Sequence, residues 1–103
     1  MPARFHVEIT RRAERDIDEI WTFIAQDNLK AADRLVLQLE KQLRTLERFP
    51  ERSALIPENE LLGARYRHLI YGKYRTIFRV TGKTVYVVRV IHAGRLLDTS
   101  TLD

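Results

Sequence analysis

Residues 65–92 read RYRHLIYGKYRTIFRVTGKTVYVVRVIH. Three runs rich in β-branched and aromatic residues, 65–71, 74–80 and 84–92, are separated only by Gly72-Lys73 and Thr81-Gly82-Lys83. Gaps this short permit only antiparallel neighbours, so the stretch predicts a three-stranded meander. In the middle run Tyr74, Thr76, Phe78 and Val80 alternate with Arg75, Ile77 and Arg79. A strand sends alternate side chains to opposite faces, so the aromatic set is expected under a cover and Arg75 and Arg79 on an open face. Arg65 and Arg67 share one side of their strand by the same rule. The last run is apolar on both faces. Arg89 or His92 can face outward there, but not both without a bulge, because they differ by three.

Upstream, residues 4–9 alternate Phe5, Val7 and Ile9 with Arg4, His6 and Glu8, the pattern of a half-buried strand. Thr10 is placed to cap a helix whose apolar stripe is Ala13, Ile17, Ile20, Trp21 and Ile24. Asp27-Asn28 ends it and starts a second helix over 29–49, with Ala32, Leu35, Val36, Leu39, Leu43 and Leu46 on one face and Pro50 as its stop. So short a connection makes the pair an antiparallel hairpin. Residues 50–63 read as a loop, and the tail 93–103, which has no period, is expected to be partly mobile. The predicted fold is α+β, strand–helix–helix–three strands, in one domain spanning 1–103. The first strand joins the meander in an antiparallel sheet. The helical hairpin covers one face and leaves the other open.

A chain of 103 residues, 45% hydrophobic and 31% charged, has room for one such core. It contains no cysteine, which excludes disulfides, thiolate nucleophiles and Cys-based zinc sites. No apolar run reaches the roughly 20 residues of a membrane helix, and residues 1–5 lack the apolar stretch of a leader. A reducing cytoplasm is the expected compartment. The net charge of +4 is unevenly placed: residues 1–62 carry 10 Lys/Arg and 12 Asp/Glu, residues 63–103 carry 8 and 2. A cationic C-terminal half suits nucleic acid or an acidic protein, and equally a surface that only keeps the protein in solution.

The candidate contact residues for a target or nucleic acid are Arg65, Arg67, Arg75, Arg79 and Arg95, because guanidinium forks match phosphate oxygens two at a time. Of the three histidines, His92 beside Gly94-Arg95 is the one candidate for proton transfer; His6 and His68 read as structural or surface residues. No two histidines have metal-ligand spacing, no cofactor motif is present, and nothing points to a small-molecule substrate. Glu14, Asp16, Asp18 and Glu19 crowd the first helix and are expected on its solvated face. Trp21 is expected in the core, with an edge that could anchor a partner peptide.

Three segments carry a family resemblance. They are the helix Ala13-Glu14-Arg15-Asp16-Ile17-Asp18-Glu19-Ile20-Trp21-Thr22-Phe23-Ile24-Ala25, the hairpin from Arg67 through Tyr71-Gly72-Lys73-Tyr74-Arg75-Thr76-Ile77-Phe78-Arg79-Val80, and Val87-Val88-Arg89-Val90-Ile91-His92-Ala93-Gly94-Arg95. In that order they resemble the RelE/ParE superfamily of type II toxins, the ParE branch most. The resemblance implies a toxin neutralised by a cognate antitoxin, with Trp21 a candidate antitoxin contact, and no membrane partner. Its ParE branch implies inhibition of DNA gyrase by binding, without catalysis. Its RelE branch implies a ribosome-dependent mRNA endonuclease, for which Arg67, Arg75, His92 and Arg95 match the functional positions. Leu69 stands where that branch carries a second lysine, and the tail 96–103 has no tyrosine. Transesterification needs both a base and an acid, and beyond His92 no second group is evident.

Overall fold

The computed structural model describes residues 4–102. The reading of residues 1–3 as part of a leaderless terminus, and the last tail residue, Asp103, lie outside them. The elements are β1 (His6–Ile9), α1 (Arg11–Ala25), α2 (Leu29–Thr45), β2 (Ala54–Leu55), α3 (Asn59–Leu62), β3 (Arg67–Tyr71), β4 (Tyr74–Thr81) and β5 (Thr84–His92). Single 3-10 turns at Pro50–Arg52 and Thr99–Thr101 complete the chain. The sheet has five strands in the order β1-β5-β4-β3-β2.

Both predicted caps form. Thr10 Oγ1 accepts the Ala13 N–H at 3.2 Å, and Asn28 Oδ1 accepts that of Ala31 at 3.0 Å. The second helix stops at Thr45, short of the predicted 49. The Glu47 carbonyl beyond it accepts the Phe5 N–H at 2.8 Å, tying the helix exit to the start of the sheet. The β3–β4 and β4–β5 turns each use a glycine at positive φ, Gly72 (56°) and Gly82 (59°), where a side chain would be strained.

Two features of the sheet differ from expectation. First, β1 pairs with β5 in parallel, Val7 opposite Val85 and Ile9 opposite Val87. No tight turn joins these strands: the helical hairpin, β2, α3, β3 and β4 all lie between them in the chain, so nothing local forces an antiparallel pairing. Second, the far face is covered. Ala13, Leu43 and Leu46 pack on Phe78, Val85 and Val87 to form the helix-side core. On the other side Ile56 and Leu97 close over Ile77, Val88 and Ile91, with Leu62, Tyr66 and Leu102 around them. The segment expected as a loop therefore carries β2 and α3. It is held down by Asn59, whose side chain exchanges hydrogen bonds with Tyr66 N (2.9 Å) and O (2.8 Å). The tail, expected to be mobile, is docked through buried Leu97, and Asp98 accepts from Ser100 N (3.0 Å) and Oγ (2.7 Å).

A bulge separates the two cores along β5. Ile77 pairs with Arg89 but Phe78 with Val87, so Val88 is extra. Val85 and Val87 face the helices, Val88 and Ile91 the second core. Beyond it the pairing is regular, and Arg89 and His92, three apart, separate as alternation requires: Arg89 is buried and His92 exposed.

Trp21 is half-buried on the helical hairpin, and its Nε1 donates to Asp33 Oδ1 of α2 at 2.8 Å. Trp21→Ala is expected to lower stability by roughly 1–2 kcal/mol, less than a fully buried tryptophan would give. Urea unfolding checks this.

Candidate functional site

Arg75 was expected on an open surface; it is 4% exposed and its charge is neutralised internally. Its guanidinium forks onto the Glu58 carboxylate, Nη1 to Oε1 at 3.1 Å and Nη2 to Oε2. Nη2 also donates to the Arg95 carbonyl at 2.6 Å, and Glu58 Oε2 accepts the Leu97 N–H at 2.9 Å. One ion pair thus fastens the segment before α3 and the tail to β4. The reason is the cover over this face: a guanidinium taken out of water needs a carboxylate, and here Nη1 and Nη2 are bonded while Nε is buried without a hydrogen-bond partner among the described residues.

His68 Nδ1 lies 3.3 Å from Arg75 Nη1. The Arg75 hydrogen bonds outweigh burial and hold the Glu58 carboxyl down at about 2, from an ordinary 4.5. Burial, then the Arg75 charge, pushes His68 below its ordinary 6.5. Both values lie lower in the folded chain than in the unfolded one, so both contributions are complete at neutral pH and are lost on acidification. The expected melting temperature falls as pH drops below 6.5, where His68 begins to bind protons in the unfolded chain, and more steeply from 4.5 towards 2 as Glu58 follows. Glu58 supplies roughly 3 kcal/mol of this. Melting curves across pH check it, and a Glu58→Gln variant should lack the steeper part.

A second buried pair was not legible as such. Asp16, expected on the solvated face of α1, is 4% exposed. Its Oδ2 accepts from Arg89 Nε at 2.7 Å and from Val90 N at 2.9 Å, and its Oδ1 from Arg89 Nη2 at 3.1 Å. Since β1 ends opposite Val87, the edge of β5 beyond it lacks a strand partner, and this carboxylate takes that place. The available signal was spacing: Asp16 sits three after Ala13 and four before Ile20, inside the apolar stripe.

The remaining candidates do not form one cationic face. Arg67 pairs with Phe78 in register and so belongs to the opposite side of the sheet from Arg75. It is half-buried, with Nη1 donating to the Ser53 carbonyl at 2.6 Å. Arg65 and Arg67 line a polar hollow with Glu51, Val80 and Gly82. Arg79 is exposed, its guanidinium 4.3 Å from the Tyr86 ring centre and 2.8 Å from Thr81 Oγ1. His92 and Arg95 are brought together, with Arg12, Phe23 and Tyr74, around an open cleft of about 240 Å³ between α1 and the end of β5. His92 Nδ1 accepts the Gly94 N–H at 3.2 Å, and its ring meets Tyr74 edge-on, centres 5.9 Å apart. A neutral His92 therefore carries its proton on Nε2 and presents a donor rather than a base.

With this fold on the page, the comparisons identify the class. The chain belongs to the ParE toxin family: residues 7–97 match the family model described as ParE toxin of type II toxin-antitoxin system, parDE. It is similar to Toxin ParE1 of Caulobacter vibrioides, 32% identical over 85 residues that cover 82% of this chain and 84% of that one. The fold is similar to a chain of the chromosomal ParDE system from P. aeruginosa, with TM-score 0.71 and 23% identity over 86% of this chain and 96% of that one. It is also similar to a chain of the toxin–antitoxin complex RelBE2 from Mycobacterium tuberculosis, with TM-score 0.61 and 24% identity over 90% and 95%.

Proposed function

We propose that this ParE-family toxin acts in the cytoplasm by binding DNA gyrase, cuts no nucleic acid itself, and is silenced by a cognate antitoxin. The observation that carries the reading is the state of Arg75. In the nuclease branch that position is expected to meet a phosphate; here its fork is occupied by Glu58 and roofed by the tail. The donor face of His92 and the absence of tyrosine from residues 96–103 point the same way. Arg65, Arg79 and Arg95, exposed, and the half-buried Arg67 are the candidate target contacts. Half-exposed Trp21 is the candidate antitoxin anchor; an antitoxin partner fits the type II toxin-antitoxin family of the chain and the similar fold in the toxin–antitoxin complex RelBE2.

Adding purified toxin to a gyrase supercoiling reaction and to a ribosome-coupled translation reaction tests this. Loss of supercoiling with intact message is expected, and His92→Ala should change neither. Cleaved message with unaffected gyrase overturns the reading in favour of the mRNA endonuclease.

A further inference from the structure

The cleft between α1 and the end of β5 shares Arg95 with the candidate target contacts, but it also holds Arg12 and Phe23, which the gyrase reading does not use. Its floor holds Arg12, a side chain 23% exposed. Asp16 lies 3.4 Å from Arg12 Nε, yet its oxygens are already hydrogen-bonded to Arg89 and to the Val90 N–H. The Arg12 Nε is ion-paired with that carboxylate but, like Arg75 Nε, is buried without a hydrogen-bond partner among the described residues. Arg12 therefore brings an incompletely satisfied donor to the cleft. Arg95 and His92, both exposed, stand on the rim, and Phe23, 70% exposed, forms an apolar wall with Ile20.

We propose that this cleft docks an acidic segment of a partner protein. One carboxylate side chain sits among Arg12, His92 and Arg95, and a bulky apolar neighbour lies against Phe23. Guanidinium and imidazole donors suit a carboxylate, and an exposed aromatic beside them suits an apolar anchor. Charge decides between an acidic peptide and a nucleic acid. Glu19 is part of the cleft wall, and α1 also exposes Glu14 and Asp18. A continuous phosphate backbone would be repelled there, whereas a single carboxylate flanked by apolar atoms is not. Docking here does not require that the poisoned target be gyrase, so the two readings stand or fall separately.

The test is an NMR titration of the whole protein with the capped peptide Ala-Glu-Phe-Ala-Ala, its Ala-Gln-Phe-Ala-Ala counterpart, and a single-stranded oligonucleotide. Binding of the Glu peptide is expected to shift the signals of Arg12, Phe23, His92 and Arg95. The Gln peptide should bind roughly tenfold more weakly. Arg95→Glu and Phe23→Ser each place the change on an exposed side chain and should leave the fold intact, which the rest of the spectrum checks. Each is expected to weaken the Glu peptide by a similar factor. No shift at the cleft, equal binding of both peptides, affinity unchanged in both variants, or preferential binding of the oligonucleotide there would each overturn the proposal.

Discussion

Arg75→Met is expected to destabilise this toxin by roughly 3–5 kcal/mol, because it leaves the Glu58 carboxylate buried without its cation. The Leu97 amide and the Arg95 carbonyl, both tied to the same pair, lose part of their anchorage with it. For a domain whose whole stability is roughly 5–15 kcal/mol, that is a large share. It corresponds to a melting temperature lower by about 15 °C or more. Glu58→Leu alone should behave similarly, stranding the guanidinium instead. The double variant should recover much of the loss, since both desolvated charges disappear together. Thermal and urea unfolding of the four proteins decides the matter. A single-variant loss below about 1 kcal/mol, the ordinary value for a surface ion pair, would mean that Arg75 is not the fastening described above.

Asp16→Ala carries an effect of the same order, roughly 3–5 kcal/mol, by a different route. The substitution takes from Arg89 its buried carboxylate and also removes the acceptor of the Val90 N–H on a stretch of sheet edge that β1 does not reach. Asp16→Asn retains one oxygen for that N–H while losing the charge, so an intermediate loss is expected. Amide hydrogen exchange supplies a specific readout: Val90 should lose protection in Asp16→Ala and keep more of it in Asp16→Asn. If Val90 is equally protected in all three proteins, the carboxylate is not acting as the strand's partner.

These two pairs explain why the charge distribution was misleading. The C-terminal half looks cationic, but Arg75 and Arg89 are matched by Glu58 and Asp16 from the N-terminal half. Part of the asymmetry is thus internal pairing rather than an outward field. Alternation along β4 correctly grouped Arg75 with Arg79, yet it could not say what covered that side.

Local pattern was sufficient for the elements themselves. The Thr10 and Asn28 caps, the apolar stripes of the two helices and the Gly72 and Gly82 turns are decided within a few residues, so the helical hairpin, the meander and the family resemblance were all legible in the chain. What lay beyond the sequence were contacts between distant segments. Asp16 meets Arg89, Glu58 meets Arg75, and Leu97 closes over Ile77, each joining segments that no period or turn relates. The two-sided apolarity of β5 hinted that both faces are buried, but the identity of the second cover depended on tertiary packing. The physical reason is dielectric as well as geometric. An arginine on a strand is the same side chain whether it faces water or a lid, and only the fold determines whether it needs a carboxylate to be there.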